Sequence, residues 1–100
     1  MIVYEVNLDV RADIYADYRA WLAAHVVEIL ALPGFESAEV FDVRDPAPAN
    51  DRRALTVCYR LVDQASLDHY FAEHAPRMRE DGKRRFGDGF TATRRVLASS

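Results

Sequence analysis

The chain has few of the residues that mark cross-linked or motif-based proteins. Of its 100 residues, one is cysteine, four are glycine and four are proline. Cys58 therefore cannot form a disulfide within the chain, and a cysteine-based metal cage is excluded as well. The sequence also lacks a phosphate-binding glycine loop, a Gly-x-Ser-x-Gly elbow, a His-Glu-x-x-His pair and a dinucleotide fingerprint. No motif identifies a reaction, and we expect no metal and no cofactor.

Long hydrophobic runs are missing too. The longest mostly apolar stretch extends from Ala20 to Leu32 and is interrupted by His25 and Glu28. A bilayer-spanning helix needs about 20 apolar residues, so this stretch is too short. The first residues lack a basic region and reach the carboxylate of Glu5 early, which does not fit a secretion signal. We expect a cytoplasmic protein that does not enter a membrane.

Charge is unevenly distributed along the chain. The net charge of −3 argues against nucleic acid as a partner. Residues 1–75 contain six basic and thirteen acidic side chains, whereas residues 76–100, the basic C-terminal quarter, contain seven basic and three acidic ones. This quarter could hold an acidic protein or an anionic ligand, but a solvent-exposed helix face explains the same charges. Its basic residues are Arg77, Arg79, Lys83, Arg84, Arg85, Arg94 and Arg95.

The hydrophobic pattern predicts six elements in the order βαββαβ. Apolar residues alternate with polar ones in the strand segments and recur every three or four positions in the helical segments. Asp13 is a candidate N-cap for the first helix, and Asp63 or Ser66 for the second. The faces of the second strand are ambiguous, since alternation puts Phe35, Phe41 and Val43 on one face and Ala38 and Val40 on the other. The predicted strands are 2–10, 35–44, 53–62 and 90–98.

Prolines mark two further boundaries in this pattern. Pro33-Gly34 ends the first helix, because proline does not continue a helix and glycine accepts the left-handed turn that often follows. Pro76 lies inside the second helical segment, where it removes a backbone hydrogen bond. We therefore expect a break near Ala75 and a new helical turn that starts at Pro76.

The predicted order is the ferredoxin-like or split βαβ arrangement, an α+β fold. One antiparallel four-stranded sheet carries two helices on one face, and residues 1–100 form a single domain. The other sheet face then combines polar and apolar side chains, which fits a semi-polar cleft or a subunit interface better than open solvent. We predict a homodimer in which two such faces meet. The residues expected there are Val3, Glu5, Asn7, Phe41, Thr56, Cys58 and Arg60.

Four segments resemble the small bacterial family known as domain of unknown function 4286: MIVYEVNLDV, LPGFESAEVF, EHAPRMREDGKRRFG and the closing Arg94-Arg95-Val96-Leu97. That family belongs with the dimeric α/β barrels and is similar to the antibiotic-biosynthesis monooxygenases and the stress-responsive barrel proteins. The resemblance implies ferredoxin-like subunits that pair sheet to sheet into a barrel, and it supplies no catalytic set. The wider group includes cofactor-free oxygenases, haem-degrading proteins and proteins without known catalysis, so the fold does not select an activity.

Two histidines are the candidate catalytic residues. His25 lies on the apolar stripe of the first predicted helix, one turn from Trp21, and His74 lies on that of the second. Both helices are expected on the same sheet face, so the imidazoles should approach each other or flank a common pocket. An imidazole that titrates near neutral pH can transfer a proton, although a core histidine bonded to a backbone carbonyl explains the same placement. The five-residue spacing of His69 and His74 does not suit a metal site on one helix face.

The candidate ligand-binding residues are Glu5, Asn7, Arg60 and Trp21. An arginine near a carboxylate and an amide can orient a substrate oxyanion, and an intersubunit salt bridge is the alternative explanation. Trp21 can act as a platform for an aromatic ring, or it can simply pack in the core.

Three functional hypotheses follow from these residues. The first is a homodimer with a small-molecule cleft and no assignable reaction. The second is a cofactor-independent monooxygenase for a small aromatic or quinol-type substrate, with His25 or His74 as base and Asn7 or Arg60 as orienting group. Such an enzyme needs mainly a dry pocket and a base, so missing motifs do not exclude it. The third is a protein-interaction module that uses the basic C-terminal quarter.

Overall fold

The computed structural model describes all 100 residues and contains one four-stranded antiparallel sheet, three α-helices and a short 3₁₀ turn. The elements are β1 (Ile2–Arg11), α1 (Tyr15–Leu30), β2 (Phe35–Asp42), β3 (Arg52–Leu61), α2 (Gln64–Glu73), α3 (Ala75–Phe86) and β4 (Phe90–Ala98). Strand β1 lies in the interior of the sheet between β3 and β4, and β2 pairs with β3, which gives the order β2-β3-β1-β4. This is the ferredoxin-like strand order.

The second helical segment is divided, so the prediction of two helices was wrong in number. His74 separates α2 from α3, and Pro76 lies in the first turn of α3. Proline has no backbone N–H to donate, and the first turn of a helix is where that donor is not needed. The predicted break near Ala75 is therefore confirmed, and it produces a third helix.

Only one of the predicted helix caps is present. The Asp63 carboxylate accepts a hydrogen bond from the backbone N–H of Ser66 at 2.8 Å, as expected for the N-cap of α2. Asp13 does not cap α1, because it lies in the 3₁₀ turn Ala12–Ile14 and its carboxylate accepts a hydrogen bond from Arg11 Nε at 2.9 Å. The Asp13 carboxylate therefore binds Arg11 and does not accept a backbone N–H of α1.

A β-bulge explains the ambiguous faces of β2. The pairing of β2 with β3 shifts between Phe35 and Ser37, so one extra residue is inserted there. Phe35 consequently shares a face with Ala38 and Val40, while Phe41 lies on the opposite face. Grouping Phe35 with Phe41 by strict alternation was wrong, because the bulge reverses the parity after the first residue.

The hydrophobic core lies on one face of the sheet, which we call the core face. Tyr4 of β1 and Tyr59 of β3 stack there at 5.8 Å between ring centroids, and Tyr70 of α2 contacts Tyr4 at 5.9 Å. From α1, Tyr18 packs on Phe90 of β4 at 5.1 Å. No residue of the opposite face, which we call the outer face, belongs to the core cluster. None of the helices is long and apolar enough to cross a membrane.

Candidate functional site

A cavity of about 50 Å³ lies between the helices and the core face, and twelve of the sixteen residues that line it are hydrophobic. Three of its tyrosines, Tyr18, Tyr59 and Tyr70, are almost completely buried. Burial raises the pKa of each hydroxyl, to about 12 for Tyr70, so all three stay protonated at neutral pH. The cavity is therefore a mainly apolar space with neutral hydroxyl groups in its walls.

His25, on α1, is the only histidine that lines this cavity. Its Nδ1 atom is buried and has no hydrogen-bond partner within the protein. The imidazole stacks on the Trp21 ring at 4.5 Å, and Trp21 Nε1 donates to the Asp81 carboxylate at 3.2 Å. Burial lowers the pKa of His25; Glu28 and Asp81 oppose this shift, and Arg94 adds to it. The imidazole is therefore neutral at neutral pH, and Nδ1 can accept a hydrogen bond or a proton in the tautomer that carries the hydrogen on Nε2.

A basic groove of about 460 Å³ adjoins the cavity and shares Arg79, Phe90 and Arg94 with it. Arg79 donates to the Tyr4 hydroxyl at 3.3 Å, which fixes its guanidinium near the cavity. The Arg94 side chain forms no ion pair, although Arg94 lies on the core face opposite Val6. From the sequence, Arg94 was assigned to the basic C-terminal quarter and to the closing segment of the family resemblance, and not to a site. Arg94 is two residues from Ala92 and four residues from Phe90. Because alternate residues of a strand share a face, this spacing could have predicted that Arg94 lies on the core face.

The structure places His25 and Trp21 in the cavity but does not place His74 there. The His74 ring lies 5.7 Å from that of His69, and its Nδ1 is 3.4 Å from Arg77 Nη2. The prediction that the two candidate histidines share a pocket was wrong. The prediction assumed one continuous helix through His74. The helix breaks at His74, so the apolar stripe does not extend to this residue.

Glu5 and Asn7 meet on the outer face, as predicted, but Arg60 is not their partner. The Glu5 carboxylate accepts hydrogen bonds from Arg95 and, at 3.0 Å, from Asn7 Nδ2. These bonds, that from Arg95 above all, lower the pKa of Glu5 although burial opposes the shift. Arg60 lies 3.9 Å from Glu39 instead. Strand register is the reason, because β4 places Arg95 opposite Glu5, whereas Arg60 lies opposite Val3.

Because the outer face and the cavity lie on opposite sides of the sheet, Asn7 and Arg60 cannot orient a molecule that contacts His25. The predicted site residues thus divide into two groups. His25 and Trp21 belong to the cavity, and Glu5, Asn7 and Arg60 belong to the outer face.

The chain matches one protein family along its whole length. The family model described as "Domain of unknown function (DUF4286)" matches residues 1–100. The chain belongs to the DUF4286 family. This DUF4286 chain has no match among curated protein sequences.

Solved structures with the same fold include enzymes and a designed protein. A Deinococcus radiodurans protein proposed to be an antibiotic biosynthesis monooxygenase has a TM-score of 0.76 at 12% identity, over 100% of this chain and 93% of that one. SnoaB, a cofactor-independent oxygenase from Streptomyces nogalater, has a TM-score of 0.70 at 15% identity, over 98% and 92%. The de novo designed protein Foldit4 reaches 0.65 at 14%, over 99% and 98%. Because a designed protein shares the fold, the similarity defines an architecture and not an activity.

Gly82 of the DUF4286 chain sets the position of the Trp21 ring. A Cβ at this position would lie 2.8 Å from Trp21 Cη2 and 3.4 Å from Phe90 Cζ. Gly82→Ala is therefore expected to displace the indole, while the gain in helix propensity of about 1 kcal/mol offsets the steric cost. We expect a shifted Trp21 emission spectrum and a free energy of unfolding within about 1 kcal/mol of the unmodified protein. Arg84→Ala, on the exposed side of α3, is the control; an unchanged emission spectrum in Gly82→Ala would contradict the described packing.

The lowered pKa of His25 predicts a loss of stability in mild acid. The unfolded chain has its histidine pKa near the ordinary 6.5, so it takes up the proton first as the pH falls. Stability therefore decreases from about pH 6.5 down through the lowered pKa of the folded state. Urea unfolding at about pH 7.5 and about pH 5.5 should show that the free energy of unfolding decreases less in His25→Gln than in the unmodified protein. His69→Gln, at an exposed position, should retain the full decrease, and equal decreases in all three proteins would refute the assignment.

Proposed function

We propose that this protein binds a small hydroxylated aromatic molecule where the cavity meets the basic groove. The unpartnered Nδ1 of His25 is the observation that carries the proposal. A buried polar atom without a partner costs about 1–3 kcal/mol, because it has lost its hydrogen bonds to water. A hydroxyl group of the ligand, donated to Nδ1, would remove this cost. The apolar and aromatic lining supplies the contact area that such a ring needs.

The volumes indicate how the ligand would lie. The cavity of about 50 Å³ is smaller than the roughly 150 Å³ that accommodates a benzene ring. The ring is therefore proposed to rest in the groove against Phe90, which lines both spaces, while its hydroxyl group reaches inward to His25. Trp21 stacks on His25, so its emission should respond to a ligand at this junction.

The neutral imidazole favours an enzymatic form of the same proposal, in which the protein is a cofactor-independent oxygenase like SnoaB. His25 would take a proton from an acidic hydroxyl or C–H group of the aromatic substrate. The resulting anion would give one electron to dioxygen, and the substrate radical and superoxide would combine into a peroxide. Protonation of the peroxide and loss of water would then leave a carbonyl group. In balance, the hydroxyl hydrogen and one ring C–H of the phenol, together with one dioxygen molecule, give the two carbonyl groups of a quinone and one water molecule.

Binding is tested by titration of the single tryptophan, Trp21, with matched ligands. Hydroquinone is expected to change the emission saturably, and its dimethyl ether, which has no hydroxyl donor, to bind about tenfold more weakly. Hydroquinone should also raise the melting temperature, because it binds the folded state only. His74→Ala, outside the cavity, should bind like the unmodified protein. Equal affinity for both ligands, or no binding of either, would refute the proposal.

We also propose that two subunits pair through their outer faces to form a dimeric α/β barrel. Phe41 on β2 and Leu97 on β4 are 43% and 38% exposed on this face, which supports burial against a second copy. The ion pair of Glu5 with Arg95 leaves little uncompensated charge near the middle of the face.

The dimer predicts a mass of about twice the 11.4 kDa of the chain in light scattering at micromolar concentration. Cys58→Arg introduces a guanidinium in the middle of the outer face, between Glu5 and Glu39 across the neighbouring strands. This variant should stay folded, because both carboxylates can pair with the new charge, and should have the mass of one subunit. Ala72→Arg, exposed on α2, is the control and should keep the dimer mass. A monomeric unmodified protein would rule out this assembly.

The hypothesis of an interaction module receives less support from the positions of the basic residues. The basic C-terminal quarter is not one surface, because Arg94 lies on the core face and Arg95 on the outer face. Lys83, Arg84 and Arg85 occupy the last turn of α3, where basic residues stabilise the helix dipole. These positions favour a small anion in the groove over an acidic protein surface.

A further inference from the structure

We infer that the ligand of this site carries an oxyanion, and that Arg94, assisted by Arg79 and Lys83, binds it in the groove. The inference rests on the proposed function and specifies its substrate class. The ligand is a hydroxylated aromatic acid, with its hydroxyl group toward His25 and its anionic group toward the arginines.

The position of Arg94 is the first argument. Strand β4 places Phe90, Ala92 and Arg94 on the core face, where the equivalent residues of β1 are apolar. Arg94 therefore points toward the helices from a position that normally carries a core side chain. It lines the cavity together with His25, Tyr18 and Tyr70. The Arg94 side chain is exposed and has no carboxylate partner, so its guanidinium is free to bind an anion in the groove.

The composition of the groove is the second argument. Its six lining residues are Arg79, Lys83, Phe90, Thr91, Ala92 and Arg94, three of which are cationic and none acidic. The nearby Asp81 is engaged by the indole N–H of Trp21 and does not line the groove. Arg79 is held by the Tyr4 hydroxyl and by the face of the Phe71 ring, 5.8 Å from its guanidinium carbon. The groove thus has an oriented arginine, an unpaired arginine and a lysine around one space.

The chemistry of these groups selects the ligand. Guanidinium groups bind carboxylate and phosphate oxygens through charge-assisted hydrogen bonds, often two at a time. Phe90 lines both the groove and the cavity, so an aromatic ring on it can present an anionic substituent to Arg94 while its hydroxyl group faces His25. A neutral phenol would contact His25 through its hydroxyl group but would offer Arg94 no anionic group.

The test compares dihydroxybenzoate with its methyl ester, which keeps the ring and both hydroxyl groups but has no charge. Affinities are measured through Trp21 emission in the unmodified protein, in Arg94→Gln and in Arg84→Gln, a control that removes a charge from α3 outside the groove. We expect the acid to bind about tenfold more tightly than the ester in the unmodified protein and in Arg84→Gln. In Arg94→Gln the acid should weaken to the affinity of the ester, and Arg94→Lys should restore part of the difference. The advantage of the acid should also shrink as salt is added.

The outcomes separate this inference from the proposed function. Equal affinities of acid and ester in the unmodified protein would overturn the inference and leave the aromatic site intact. The same advantage of the acid in Arg94→Gln would overturn the role of Arg94. If neither compound changes the emission of Trp21, the proposed function and the inference both fail. Benzoate and phenyl phosphate in the same titration show whether the groove prefers a carboxylate or a phosphate, and preference for either supports an oxyanion site.

Discussion

Gly34→Ala is expected to lower the free energy of unfolding by about 3 kcal/mol, the largest effect of a single added methyl group in this chain. Gly34 follows α1 and Pro33 and has a φ angle of 86°, a left-handed conformation that costs an alanine about 1–2 kcal/mol. The new Cβ would also lie 2.2 Å from the Cβ of Ser66. Relief of that contact requires a shift of the first turn of α2, at a further cost of about 1–3 kcal/mol.

Urea unfolding of three variants can separate these two costs. Gly87→Ala is a control for backbone cost without a clash, because Gly87 has φ 56° and ψ −125° and nothing lies within 4 Å of an added Cβ. It should lose about 1–3 kcal/mol, the cost of holding an alanine in a backbone region that favours glycine. Adding Ser66→Gly to Gly34→Ala removes the clash and should recover part of the stability. No recovery in the double variant would contradict the close packing of the α1–β2 turn on α2.

The turn at Gly34 also shows which parts of the fold could be predicted from sequence. Proline and glycine act through local backbone geometry, so Pro33-Gly34 and Pro76 identified the end of α1 and the start of α3. β4 was predicted with its observed bounds, Phe90–Ala98, because a glycine precedes the strand and two serines follow it. The bulge in β2 could not be predicted, since it depends on how Phe35 and Ser37 pair with β3.

For the candidate site, the sequence could predict only the helix or sheet face on which a residue lies. Helical spacing put His25 on the buried side of α1, but the lack of a partner for its Nδ1 depends on three-dimensional packing. Alternation put Glu5 and Asn7 on one face, but the choice of Arg95 over Arg60 is made by the register of β4. Arg94 was missed although the same alternation would have revealed it, because a charge run suggests an exposed surface.

In the enzymatic form of the proposal, His25→Ala is expected to reduce the oxygen-dependent turnover of a bound phenolic substrate about 100-fold or more. The reason is that general bases typically contribute factors of about 10²–10⁴ to the rate. The imidazole is the only neutral base in the cavity, because the buried tyrosines there stay protonated. Turnover is measured as dioxygen consumption with dihydroxybenzoate, and substrate affinity is measured separately through the emission of Trp21. His74→Ala, at the junction of α2 and α3, is the control and should keep full turnover.

Addition of free imidazole distinguishes a chemical role of His25 from a structural one. His25→Ala leaves space beside Trp21, and imidazole bound there can accept the substrate proton, so it should restore part of the dioxygen consumption. A structural role would instead weaken binding, leave the rate of the bound substrate unchanged and show no rescue. The pH profile gives a second criterion, because a base with a lowered pKa keeps turnover high until the pH falls below about 6.5. Unchanged turnover in folded His25→Ala would exclude this histidine as the base, and no turnover in the unmodified protein would leave a binding protein whose aromatic ligand is not oxidised.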